Sequence, residues 1–208
     1  VWFGEDTDSL QFHILESAAP ITCLVSLSHQ GSTYLVAGDN QGGITLWQIM
    51  LEQGDFRRVG YLQFTSSCSV VCMEPLIDGR LAVSTRESSS SSSGSIISGA
   101  TPLEISVPQA VHVLENVVTE TPMVESSLTG HTKDSVECMC ALPDGALLTG
   151  GGKMDGTLRL WSLNEKGAPQ ETVLSDVGYV FCLALLPGGP DGRFAVAAGR
   201  YNQVNLVV

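Results

Sequence analysis

"VECMCALPDG", Val136 to Gly145, sets two cysteines one residue apart, just ahead of an Asp-Gly pair. Such thiols could ligate a metal, run a redox cycle, or simply pack inside a sheet. The rest of the chain decides between these. "ITCLVSL" (Ile21–Leu27), "VVCMEPL" (Val70–Leu76) and "VFCLALL" (Val180–Leu186) repeat the pattern of "VECMCAL" (Val136–Leu142). Each reads Ile or Val, any residue, Cys, Leu or Met, two more residues, then Leu. Cys23, Cys72, Cys138 and Cys182 therefore share one repeated position, at steps of 49, 66 and 44 residues. Cys140 is the odd one, a variation at an alternate site.

Each segment is followed by a turn signal and a second apolar run. The turns are "HQG" ending at Gly31, Asp78-Gly79, Asp144-Gly145 and Asp191-Gly192. Asx-Gly pairs between apolar runs favour hairpins, because glycine takes positive φ at little cost. The second runs are "YLVAG", "RLAVST", "ALLTG" and "FAVAAG", and a third strand carries Trp47 or Trp161. Trp2 fits the same slot in a truncated first unit, and His112 and Val207 stand near it in two others. "LQFHIL" and "FRRVGYLQF" read as fourth strands.

Four short antiparallel strands per unit, recurring every 40–50 residues or so, predict an all-β fold, a β-propeller of four-stranded blades. Inner strands covered on both faces become near-continuous apolar runs such as "VFCLALL". A small, weakly polar thiol suits that position. Cys-X-Cys on one strand offers a metal two ligands at most, and no CxxC or His pair follows it. The cysteines are read as packing, with metal: none and cofactors: none expected.

Composition agrees. The chain has 208 residues, 43% of them apolar and 15% charged, enough for a substantial core. Ten basic residues against 22 acidic ones leave a net charge of −12, a field that repels phosphate backbones and acidic lipid. Nucleic acid and membrane are therefore not expected as partners. The longest apolar run is about half what spanning a bilayer needs. Six cysteines in this length are no disulfide framework, and no signal-like leader opens the chain, which predicts a cytoplasmic location with the nucleus also open.

The segment "GHTKDSVECMCALPDGALLTGGGKMDGTLRLWSLN" (Gly130–Asn164) resembles the WD-repeat family. Gly130-His131 fills its opening pair, Asp155-Gly156 its second hairpin, and Trp161-Ser162 its closing Trp-Asp, with Ser162 for the final Asp. The resemblance implies a structural hydrogen-bond tetrad of His131, Thr149, Asp155 and Trp161. "TGGGKMD" is two residues longer than the family's usual link between Thr and Asp. In the unit ending at Trp47, Ala37 and Gln41 replace the hydroxyl and the carboxylate, and there is no Gly-His.

The blade pieces fall at about 1–16, 21–62, 69–128, 136–174 and 180–208, roughly four blade equivalents. That is too few for the usual ring, so the chain reads as part of a larger propeller, by resemblance often seven-bladed. The Ser-rich stretch 86–106 interrupts the second complete unit and is expected to be a flexible loop insertion. A phosphate there would add about −1.5 to −2 charge. By resemblance, loops joining second to third strands share a partner-binding rim with those joining successive blades. Gln41, Thr132, Lys133, Asp134, Lys153, Met154, Asp176, Arg200 and Tyr201 are the candidate rim residues.

Chemistry finds little purchase. "GGGK" (Gly150–Lys153) has Leu147 and Met154 where a phosphate loop needs glycine and Ser/Thr. His131, Asp134 and Ser135 crowd one loop, whereas a triad draws on separate segments. The inner strands offer an axial channel only Glu74 and Glu137. The expectation is a non-catalytic scaffold, not an enzyme, binding other proteins or peptides. The alternatives are an enzymatic or ligand-binding propeller whose channel residues lie in other blades, and a structural subunit of a larger complex.

Overall fold

The computed structural model describes residues 14–50, 54–65, 67–88, 99–105, 109–119, 121–163, 169–176, 178–186, 195–200 and 203–207. They form strands and turns without a helix. The first blade is β1 (Ile21–His29), β2 (Ser32–Asp39), β3 (Gly43–Met50) and β4 (Asp55–Phe64). The second begins with β5 (Cys68–Pro75) and β6 (Leu81–Glu87); β7 (Thr101–Leu103) intervenes before β8 (Val111–Glu115) and β9 (Met123–Leu128) complete it. The third comprises β10 (Val136–Ala141), β11 (Leu147–Gly151), β12 (Thr157–Ser162) and β13 (Gln170–Asp176). The fourth contributes β14 (Cys182–Leu186), β15 (Ala195–Arg200) and β16 (Gln203–Val207). Within each blade the strands run antiparallel in chain order, and β1, β5, β10 and β14 lie side by side from blade to blade.

The repeated Ile/Val-X-Cys pattern has a structural cause. The register slips between Ile21 and Cys23, between Val70 and Cys72, and between Val136 and Cys138. Thr22, Val71 and Glu137 are thus extra residues in bulges, which bend the strand and raise its twist. In β5 and β10 the first residue of the pattern then leans onto the preceding blade, and Val180, just before β14, makes the same contact. A Cβ at Gly38 would meet Val70 Cγ1 at 2.5 Å and Cys23 Sγ at 2.9 Å. A Cβ at Gly150 would meet Val180 Cγ1 at 2.7 Å and Cys138 Sγ at 2.8 Å. In the middle interface Ser84 takes the glycine's place and donates to Val136 O at 2.7 Å. The thiols add weak bonds: Cys72 Sγ donates to Val136 O at 3.6 Å and Cys138 Sγ to Val180 O at 3.5 Å.

Burial raises the thiol pKa values, Cys68 and Cys138 to about 12 and Cys72 well above its ordinary value. A thiol held neutral is a poor nucleophile and a poor metal ligand. The packing expectation needs one correction. Cys138 is buried and Cys23 and Cys72 are half-buried, but Cys182 is exposed. Each thiol is covered by the next blade's inner strand, and Cys182 sits on the last described blade.

Other expectations shift as well. The tryptophan slot, facing Leu35 and Leu147, falls in blade two to Leu114, opposite Leu81. His112 stands two residues earlier, opposite Val83. Of "LQFHIL", 10–13 lie outside the described residues, and Ile14 and Leu15 form no strand. The insertion 86–106 is not all loop. Arg86 and Glu87 belong to β6, and β7 runs parallel to β4 as a fifth strand of the first blade. Leu103 is only 1% exposed, so hydrophobic burial holds this end of the insertion in place. Residues 89–98, with most of the serines, lie outside the described set.

Gly150→Ala should lower stability by about 1–3 kcal/mol in urea unfolding, because the added methyl overpacks the blade interface. The double variant Gly150→Ala with Val180→Ala should lose less than the sum of the two single changes. Cys138→Ser should be destabilising by no more than about 1–2 kcal/mol.

Candidate functional site

Each of the first three blades closes its corner with a buried polar lock, and each lock uses different residues. In blade three, His131 comes from the β9–β10 connector, Thr149 from β11, Asp155 from the turn before β12, and Trp161 from β12 itself. His131 Nδ1 lies 2.7 Å from Asp155 Oδ2, and His131 Nε2 lies 2.7 Å from Thr149 Oγ1. Trp161 Nε1 donates to Thr149 Oγ1 at 2.9 Å. The proton inventory follows from the ends. A carboxylate only accepts, so Nδ1 carries the hydrogen; Nε2 then accepts from Thr149, whose oxygen accepts from the indole. Burial lowers the His131 pKa and so favours the neutral ring this arrangement needs. Burial works against the Asp155 charge, but hydrogen bonds from Thr157 and His131 outweigh it and hold the pKa below the usual value.

The two extra residues of "TGGGKMD" do not break the network. Asp155 N bonds Gly152 O at 3.2 Å and Gly156 N bonds the same oxygen at 2.8 Å. The turn closes tightly, Lys153 and Met154 project outward, and Asp155 returns to His131.

Blade two has a lock that sequence reasoning did not find. His112 Nε2 lies 3.0 Å from Thr85 Oγ1 and Nδ1 lies 2.9 Å from Ser127 Oγ, linking three adjacent strands. The ring is fully buried, with its centroid 5.3 Å from that of Phe64. Burial alone drives its pKa to about 4. Blade one uses Asp39, which accepts from Gln41 N at 2.9 Å and Gly43 N at 2.8 Å. Tyr61 Oη lies 3.4 Å from Asp39 Oδ2 and donates to Gln63 Oε1 at 2.9 Å. Burial first, and then the Asp39 charge, push the Tyr61 pKa up to about 12. The carboxylate expected at Gln41 is thus supplied two residues earlier. The signal was an aspartate directly before the "NQGG" turn.

The strand order brings the β2–β3 and β11–β12 turns to the same end as the blade-to-blade connectors. Gln41, Thr132, Lys133, Lys153 and Met154 are exposed there. Met154 is 69% exposed. Asp134 is a correction: it is half-buried and accepts from Ser135 N at 2.9 Å and Met154 N at 3.1 Å, tying connector to turn. Asp176 and Arg200 close β13 and β15, opposite Thr157 and Gln203, so neither is a loop residue. Tyr201 lies outside the described residues.

Arg86 is a further rim residue that periodicity could not reveal. It lies one residue before the end of β6, donates from Nε to Ser135 Oγ at 2.9 Å and pairs with Glu137 of the next blade. Glu74, the other inner-strand carboxylate, accepts from Ala141 N at 2.8 Å, and burial raises its pKa.

Residues 123–162 match the family model described as WD domain, G-beta repeat. The matched segment resembles one WD repeat, and the strands around it fold as blades of a β-propeller. That repeat starts at the first residue of β9 and ends at the last of β12, so the WD unit straddles two blades.

An X-ray structure assigned as a gluconolactonase is similar in fold, with a TM-score of 0.52 and 17% identity. The match covers 88% of this chain and 58% of that one. A second similar structure is the C-terminal WD40 domain of Sif2, with a TM-score of 0.47 and 13% identity, covering 91% of this chain and 51% of that one. The chain thus spans little more than half the length of either. No curated protein matches it.

His131→Ala should cost about 1–3 kcal/mol, because it strands buried partners, while leaving partner choice unchanged in a capture assay. His112 binds its proton less readily in the folded state, so stability should be full above pH 6.5 and fall as pH drops toward 4. At most about 3 kcal/mol is at stake. His112→Gln should flatten that part of a stability–pH curve.

Proposed function

We propose that the chain is a non-catalytic protein-interaction scaffold whose blades hold a rim of loop residues rigid for a partner protein or peptide. The observation that carries this reading is the rim of blade three. Lys133, Lys153 and Met154 are exposed on segments fixed from beneath by the Asp134 tether and the His131–Asp155 bond. Side chains on a pre-ordered backbone lose less entropy on binding. Methionine and lysine together suit a surface with apolar pockets and acidic flanks. WD repeats in general mediate protein association, which agrees with this reading.

The enzymatic alternative is less well supported. The likeness to the structure assigned as a gluconolactonase is one of fold, at 17% identity. Glu74 and Glu137, the inner-strand carboxylates, already accept hydrogen bonds from neighbouring blades. A location in the cytoplasm or nucleus is part of the proposal.

The test is affinity capture with three full-length variants. Lys133→Glu/Lys153→Glu/Met154→Ala should lose the proteins that the wild-type chain captures. Arg57→Ala/Arg58→Ala, on the outer strand β4, should retain them. Deletion of 89–98 reports separately on the serine run and leaves β7 in place. Retention of the same partners by the rim variant would refute the proposal.

A further inference from the structure

The outer strand of blade one behaves unlike its counterparts. In β9 and β13 most side chains with a described environment are exposed or half-buried. In β4 the first half does the same, with Arg57, Arg58 and Val59 exposed, but Tyr61, Leu62, Gln63 and Phe64 are all buried. Charged residues on a free edge discourage strand addition, and the half of β4 without them has acquired an extra strand.

That strand is β7. Thr101, Pro102 and Leu103 lie parallel to Leu62, Gln63 and Phe64. Leu103 O accepts from Thr65 N at 3.0 Å and from Thr65 Oγ1 at 3.3 Å. Exposure alternates: Pro102 and Glu104 face out, while Leu103 is buried and Ile105 half-buried. Leu103 enters the core shared by blades one and two, among Leu62, Phe64, Leu114 and Val117. Two cavities flank the strand. One of about 280 Å³ runs beside Leu46, Val59, Leu62 and Val118; one of about 260 Å³ is walled by Pro122, Met123 and Val124. The perimeter groove between the two blades is therefore longer than the segment that fills it.

We propose that this groove is a strand-accepting site for an extended peptide of a partner protein, held in this chain by its own Thr101–Leu103. The matching peptide has a branched apolar residue directly after a proline, and a second apolar residue two positions on. Its backbone would add to β4 and its apolar side chains would fill the groove, the strand-addition mode of recognition. Only three residues pair, and Pro102 has no N–H to give, so the resident segment is weakly held through its backbone. Its advantage is that it belongs to the same chain, which makes its binding intramolecular. This surface is on the blade perimeter and adjoins the loop rim at Gln63, whose Nε2 donates to Gln41 O at 2.6 Å.

The test uses the full 208-residue chain and a fluorescent peptide of its own sequence 99–105, GATPLEI. Leu103→Asp should empty the groove. By fluorescence polarisation that variant should bind the peptide at least about tenfold more tightly than the wild-type chain. A peptide with aspartate in place of its leucine should bind neither. Equal affinity for both chains, including no binding by a folded variant, overturns the proposal. A second chain with glycine at 101–103 guards against a local effect of the aspartate. Loss of near-ultraviolet circular dichroism in both variants also overturns it, because a groove that cannot stand empty cannot change occupants.

Discussion

The contact on which the array depends is the seating of one inner strand on the blade before it. Val70 and Val180 press against the backbone at Gly38 and Gly150, each beside a cysteine sulfur. Val136 makes the middle contact through its carbonyl, which receives the Ser84 hydroxyl and the Cys72 thiol. In β5 and β10 a bulge before the cysteine turns that first residue out of its own sheet and onto its neighbour. Space at this contact is short: glycine stands opposite in two of the three interfaces, and in the third Ser84 stands there with its hydroxyl bonded to Val136 O. The apolar cores are accordingly shared, one spanning blades one and two and another spanning two and three.

The polar locks answer a different requirement. Each of the first three blades must satisfy buried polar atoms where its strands meet the connecting loops, and an unpaired group there costs more than the hydrogen bond would contribute net. Blade three uses the His–Asp and Thr–Trp bonds of the WD repeat. Blade two uses one histidine between two hydroxyls, and blade one an aspartate that gathers backbone amides. The same task is met by three sets of side chains. This explains why a family signature covers 123–162 while the fold extends well beyond it.

These constraints set the stage for binding. Rim residues such as Met154 and Lys153 project outward because the turn beneath them closes on Gly152 and sends Asp155 inward. Spacing marks Asp134 only as a charged loop residue, but it accepts from the Met154 amide and so helps fix the rim surface. Arg86 likewise joins two blades through Ser135 and Glu137.

The sequence by itself determined the four inner strands and the hairpin partner that follows each. Those follow from local periodicity, turn chemistry and a motif repeated in step. It also determined the four members of the blade-three lock, since their spacing matches a known repeat. Tertiary structure alone decided the rest. Asp39 replaces Gln41, Leu114 takes the slot near which His112 was placed, and a serine-rich insertion ends in a strand that plugs the neighbouring blade. Each of these is settled by which side chain reaches a buried partner across the chain, a distance that sequence spacing does not encode.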